Sequence, residues 1–261
     1  MGDARWDAVA SDFVEHYAHL YGQVRIHVLH AHLMDHLPPP PAEIVDIGGG
    51  AGNQSICLAR VGYGITIVEP SAVMLDEAGR LLGAEPRDVA ARVRLVEADG
   101  EHAPALLGEA RFDGVLCHGV LMYLDDPAPL VTALCALARP GAIVSIVTKN
   151  RRTLASGPAY QGDWRGALAA FDGERQVNGL GIETRADDIE ELSNLLRDRG
   201  VEPIDWYGVR TFTEGWARGR PAVDPVDDVL AVELEASRRD PYRQLSRLFH
   251  LVGRRSSARP S

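Results

Sequence analysis

The chain has 261 residues, 46% of them hydrophobic, enough for one large core with an appendage. Its formal net charge of −10 argues against general affinity for nucleic acid or membrane surfaces, and its longest apolar stretches, such as 131–138, are core-sized rather than membrane-spanning. The first residues form no apolar signal segment, and Cys57, Cys117 and Cys135 are few, odd in number and far apart, so a soluble cytoplasmic protein with buried thiols and no metal site is expected.

Trp6, Val9, Phe13, Tyr17 and Leu20 recur at helical spacing, and a second series follows at Val24, Val28, Leu29, His32 and Leu33. Two helices are expected here, forming an N-terminal cap (1–37) that ends at the prolines of 38–41. Beyond them the pattern alternates. Strands are expected at 44–47, 65–69, 93–97, 112–117 and 142–148. Helices are expected at 53–61, at 71–82 with Ser71 as N-cap, and at 127–138, closed by Arg139-Pro140-Gly141. This core (42–149) gives way to a glycine-rich, weakly periodic segment read as a lid (150–185). The C-terminal part of the core (186–254) should add a helix at 186–199, a strand at 204–210, a helix at 226–237 and a last strand at 247–253. A polar tail at 255–261 is expected to be disordered. Strands alternating with helices predict an α/β fold, a doubly wound, mostly parallel seven-stranded sheet.

The first strand ends at Asp46 and runs into Gly48, Gly49, Gly50 and Gly52. A loop without Cβ atoms admits a ligand close to the backbone, and the helix after it turns free N–H groups toward that ligand. The dinucleotide fingerprint G-x-G-x-x-G is not met, because Gly52 is followed by Asn53 and its third glycine is missing. Glu69 ends the second strand, where a carboxylate can accept hydrogen bonds from both hydroxyls of a ribose.

Residues 46–52, then Val68-Glu69-Pro70-Ser71-Ala72-Val73-Met74-Leu75, then Arg139-Pro140-Gly141 before a strand resemble the class I S-adenosylmethionine (SAM)-dependent methyltransferases, a Rossmann-like family. The likeness sharpens at Trp6-Asp7, Phe13, Tyr17 and Gly22-Gln23-Val24-Arg25. It does so again at His118-Gly119-Val120-Leu121 with Asp126-Pro127, at Gly208-Val209-Arg210-Thr211-Phe212, and at Asp240-Pro241-Tyr242 with His250. These stretches are similar to the tRNA 5-carboxymethoxyuridine methyltransferase family over roughly residues 3–255. The resemblance implies SAM as cofactor and S-adenosylhomocysteine as product. It implies that Arg25 reaches the methionine carboxylate, that Gly48, Gly49 and Gly50 line the methionine side, and that Glu69 holds the ribose, where relatives usually carry Asp. It further implies Asp99 and Gly100 at the adenine and His118 near the sulfonium and the transferred methyl.

Methyl transfer from a sulfonium is a direct displacement, so the protein must align the nucleophile and exclude water. A carboxylate acceptor needs no base, whereas a hydroxyl needs one, and His118 is then the first candidate. Tyr17, Lys149, Asn150 and Arg210 are the candidates for acceptor binding, the last three from an arginine-rich second half that is neutral on balance. Three functions follow. The first is transfer to an oxygen (carboxylate or hydroxyl) or nitrogen of a small metabolite. The second is methyl esterification of a modified uridine in tRNA, with Lys149, Arg151, Arg152 and Arg210 as its cations. The third is SAM binding without catalysis. The sequence departs from the tRNA enzymes at 172–185, where relatives are lysine-rich and this chain has only Arg175 and Arg185, offset by Asp172, Glu174 and Glu183.

Overall fold

The computed structural model describes residues 19–178, 181–215 and 226–257. The expected first helix, with Trp6, Phe13 and Tyr17, and the end of the tail lie outside the described residues.

Helix α1 (Leu20–His36) buries Val24, Val28, Leu29, His32 and Leu33, the second apolar series of the sequence. The core follows as β1 (Glu43–Ile47), α2 (Asn53–Arg60), β2 (Gly64–Glu69), α3 (Ala72–Gly83), α4 (Arg87–Ala90), β3 (Val93–Glu97), α5 (Ala103–Leu107), β4 (Phe112–His118), α6 (Ala128–Leu137) and β5 (Ala138–Lys149). The side chain of Ser71 accepts a hydrogen bond from the Met74 N–H and so caps α3 as expected. Next come α7 (Ser156–Tyr160), α8 (Trp164–Ala170), the hairpin β6 (Arg175–Val177) and β7 (Glu183–Arg185), then α9 (Ile189–Arg197), β8 (Val201–Val209), α10 (Val226–Arg238) and β9 (Leu248–Arg255).

The seven-stranded sheet has the order β3-β2-β1-β4-β5-β9-β8. Strands β1 to β5 are parallel, and β9 runs antiparallel to both β5 and β8. Alternate residues of each inner strand feed opposite faces. Val45, Val115 and Val144 pack with α6 and α9 residues such as Leu134 and Leu192. Ile44, Leu116 and Ile143 pack with Leu33, Leu58 and Ile65. The chain leaves β1 toward β2 and β3, then returns to place β4 on the other side of β1, so a crevice opens at the carboxyl ends of β1 and β4.

Some boundaries differ from expectation. The Arg139-Pro140-Gly141 turn is part of β5, because Ala138 already pairs with Phe112 across an irregular register. Helix α9 starts at Ile189 rather than 186, since the Asp188 carboxylate accepts from the Glu190 and Glu191 N–H groups. The short helices α4 and α5 had no periodicity to betray them, and the segment 150–185, expected as a lid, contains a hairpin besides its short helices.

Candidate active site

Backbone conformation builds the floor of the crevice. Gly48, Gly50 and Gly52 have φ of 68°, 54° and 77°, a region that side chains with a Cβ rarely occupy. The Gly48 N–H donates to Val68 O at 2.7 Å, tying the loop to the end of β2. A Cβ at Gly48 would overlap Val120 Cγ2, whereas one at Gly50 would meet open space.

Glu69 fixes the other side of the loop. One carboxylate oxygen accepts from the Gly50 N–H and the other from the Ser71 N–H, each at 3.0 Å. Burial pushes its pKa up, and the two backbone donors pull against that rise. Each oxygen keeps a second lone pair for a ligand hydroxyl. Asp46 lies beneath, its Oδ2 accepting from Ser55 Oγ at 2.7 Å, and burial lifts its pKa to about 6.

Across the crevice, Arg25 of α1 donates from Nη2 to His118 O at 2.8 Å, and Gly119 (φ 88°) leaves room for that guanidinium. The His118 ring bonds through Nε2 to Ser145 Oγ at 2.8 Å. Its Nδ1 is buried and has no hydrogen-bond partner among the described residues.

The expected cofactor residues Arg25, Gly48, Gly49, Gly50, Glu69, Asp99, Gly100 and His118 all line one cavity of about 410 Å³. That size lies in the ~300–1,000 Å³ range of small-molecule sites. Gly100 earns its place by packing, since a Cβ there would overlap Ile47 Cγ2. Sequence reasoning missed Gln54, whose buried amide N and O both lack a partner among the described residues, and the apolar wall of Met74, Val120 and Leu130. Gln54's position in the first turn after the glycine loop was the available signal.

The acceptor candidates fall elsewhere. Tyr17 lies outside the described residues. Lys149, Asn150 and Arg210 do not line this cavity. Asn150 departs from its expected part: its amide donates to Gln244 O and Ser246 O and accepts from the Arg152 N–H, so it clamps main chain to main chain. Lys149 and Arg210 form a second cluster with two further residues, Arg247 and Glu214. Lys149 ends β5, Arg210 follows β8 and Arg247 precedes β9. The pairings Lys149↔Leu248 and Val209↔Leu248 set the three in one row at the carboxyl edge of β5, the edge that holds the crevice.

Lys149 is buried and its Nζ donates to Thr184 Oγ1 of the β6–β7 hairpin at 2.8 Å. Desolvation, then the charge of Arg247, lowers its pKa to about 7. Glu214 pairs with Arg210 and lies 3.4 Å from Arg247. Arg210 stacks over the Tyr21 ring at 4.6 Å. Arg210 Nε and Arg247 Nη1 are buried without a hydrogen-bond partner among the described residues. Buried Lys149 and the partly buried Arg210 and Arg247 thus lie together, and among the described residues Glu214 is the carboxylate that pairs with the two arginines.

The cradle suits an aminoacyl nucleoside. Glycine backbone and the unpartnered Gln54 amide offer polar contacts, Glu69 has lone pairs for vicinal hydroxyls, Arg25 supplies a cation, and Met74 and Leu130 supply an apolar wall for a base. Residues 45–146 match the family described as "Methyltransferase domain". The chain belongs to the class I SAM-dependent methyltransferases, with SAM as its cofactor. Catalysis, rather than cofactor binding alone, is what this family performs.

Among particular relatives, the chain is similar to the tRNA 5-carboxymethoxyuridine methyltransferase of Escherichia coli (strain K12), 24% identical over 99% of each chain. It is 33% identical to a ubiquinone biosynthesis O-methyltransferase of Xylella fastidiosa over 216 residues, 78% of this chain and 80% of that one. Among solved structures it is similar to 1,6-didemethyltoxoflavin-N1-methyltransferase of Burkholderia thailandensis bound to its ligand and S-adenosylhomocysteine. That likeness has a TM-score of 0.56, 22% identity, and coverage of 97% of this chain and 90% of that one. No helix among the described residues is long and apolar enough to cross a membrane.

Proposed function

We propose that this methyltransferase acts on an anionic oxygen of a small molecule, a carboxylate above all. The supporting observation is the row of buried Lys149 and partly buried Arg210 and Arg247, where Glu214 is the one carboxylate paired with the two arginines among the described residues, at the sheet edge that also holds the cofactor cavity. Buried cations without enough counter-charge favour an anionic ligand, and arginine's planar fork suits a carboxylate. Such an acceptor is already ionised at neutral pH and needs orientation rather than deprotonation. When bound, SAM supplies a methyl group already activated on a sulfonium. In this reading Arg25 holds its carboxylate, Glu69 its ribose, and Asp99 and Gly100 border its base. The loop of Gly48, Gly49 and Gly50 takes the amino-acid side, and His118 borders the transferred methyl.

A second reading, methyl esterification of a modified uridine in tRNA, is favoured by the full-length likeness to the Escherichia coli enzyme. The arginines that would grip phosphate weigh against it. Arg151 pairs with Glu191 at 2.6 Å and Arg152 with Glu190. Arg238, Arg239 and Arg243, further arginines of the second half that could join a basic stripe, pair with Asp35 at 2.6 Å, with Glu235 and with Asp240 at 2.9 Å.

Incubation with methyl-labelled SAM and a cell extract split into RNA and small-molecule fractions tests the choice. Label in the small-molecule fraction that mild alkali releases as methanol is the expected result, and Arg210→Met should abolish it. Alkali-labile label in RNA would replace the first reading with the second.

A further inference from the structure

The His118 ring is the first member of a buried hydrogen-bonded chain that crosses the molecule. His118 Nε2 lies 2.8 Å from Ser145 Oγ on β5, and Ser145 Oγ lies 2.7 Å from His250 Nε2 on β9. His250 Nδ1 is 3.2 Å from His32 Nδ1 on α1, and His32 Nε2 is 2.8 Å from Ser237 Oγ on α10. Ser237 Oγ lies 2.6 Å from Leu234 O. Ser145, His250, His32 and Ser237 are all buried, and the Tyr207 ring stacks on His32 at 3.8 Å.

Proton placement in this chain follows from its far end. The Leu234 carbonyl only accepts, so the one Ser237 hydroxyl proton points to it, and Ser237 Oγ must accept from His32 Nε2–H. A neutral His32 then has a bare Nδ1, and the proton in the His32–His250 contact belongs to His250 Nδ1. His250 Nε2 is therefore bare and accepts from the Ser145 hydroxyl. Ser145 Oγ in turn accepts from His118 Nε2–H, and the lone pair of His118 is left on Nδ1, the buried ring atom without a partner among the described residues.

Neutral rings are what this setting favours. No carboxylate is hydrogen-bonded to any of the three rings among the described residues. The charges that act on them are the cations Arg25 toward His118 and Arg238 toward His32, besides His36 and the neighbouring histidines. Burial, then these charges, lowers the pKa of all three.

We infer that Ser145, His250, His32 and Ser237 are positioning residues that lock His118, a residue lining the cofactor cavity, as its Nε2–H tautomer, so that Nδ1 is the one ring atom left to accept a hydrogen bond from an N–H or O–H group of a ligand. The chain orients and does not conduct. A proton taken up at Nδ1 and passed along would end on the Leu234 carbonyl, which cannot hold it. The lock holds for either methyl acceptor considered above, because it is written in the protein alone.

Long-range proton–nitrogen correlation spectra of the nitrogen-15-labelled protein read the tautomer of each ring directly. For His118 the expected pattern is a protonated Nε2 and a bare Nδ1, unchanged between about pH 6 and 8, where an ordinary histidine titrates. In His250→Leu the Ser145 hydroxyl loses its acceptor and turns to donate to His118 Nε2, so the bare nitrogen should switch from Nδ1 to Nε2. If that variant does not fold, Ser145→Ala should give a mixture of both tautomers, while Ser145→Thr, which keeps the hydroxyl, should give the wild-type pattern. A proton on Nδ1 in the wild type overturns the inference. So does a pure Nε2–H tautomer in folded His250→Leu or Ser145→Ala. Addition of S-adenosylhomocysteine, whose amine and hydroxyls can donate, should move the His118 Nδ1 resonance, and a resonance that stays fixed at saturation overturns the acceptor role of Nδ1.

Discussion

Glu69→Gln tests the carboxylate that ties the glycine loop to the start of α3 and that is proposed to hold the cofactor's ribose. The native carboxylate accepts two backbone N–H bonds, from Gly50 and Ser71, each at 3.0 Å. A glutamine amide has one acceptor oxygen and sets its NH₂ against the other backbone N–H. One hydrogen bond to a charged acceptor is worth about 1.5–3 kcal/mol, and an orphaned donor adds to the loss. The variant recovers part of this, because a neutral amide escapes the desolvation that raises the Glu69 pKa. A net destabilisation of about 1–2 kcal/mol remains, which at roughly 2–4 °C per kcal/mol lowers Tm by roughly 2–8 °C. Affinity for S-adenosylhomocysteine should fall by about tenfold or more, since a difference of about 1.4 kcal/mol is tenfold in Kd. Thermal unfolding of the free protein and titration calorimetry measure the two quantities separately. An unchanged Tm would show that Glu69 does not hold the loop. An unchanged Kd with a lowered Tm would remove it from the cofactor site.

Asp46, lifted to about 6 by burial, should titrate in the unfolded chain near ~3.9. Its contribution is present below about pH 4, where both states hold the proton, and is lost as pH rises through about 6, a total of about 3 kcal/mol. Asp46→Asn should therefore match the cofactor-free wild type near pH 4 and exceed it at neutral pH in urea unfolding, and parallel pH profiles would refute the assignment. Gly48→Ala should destabilise more than Gly50→Ala. Both pay about 1–2 kcal/mol for positive φ, but only the first drives a Cβ into Val120; equal losses in the same assay would contradict this.

Much of this was legible in the sequence because it is local. Asp46 to Gly52 need a glycine turn between a strand and a helix, Ser71 is a cap, and alternating apolar runs demand a two-sided sheet. Each of these depends on residues a few positions apart. Glu69 could be placed at a strand end by the same reasoning, and the cavity duly gathers it with Arg25, Asp99 and His118. The helices α4 and α5 escaped because four or five residues carry no period.

What only the tertiary structure decided is which distant residues meet at the far strands of the sheet. Lys149, Arg210, Glu214 and Arg247 are up to 98 positions apart, and the antiparallel return of β9 between β5 and β8 sets them in one row. The same return carries His250 to Ser145, and α1 and α10 supply His32 and Ser237. The sequence determined the glycine-loop cavity, where backbone conformation dictates residue type. The Lys149–Arg210–Arg247 row and the His118–His250 chain depend on register between distant strands, and no local pattern encodes register.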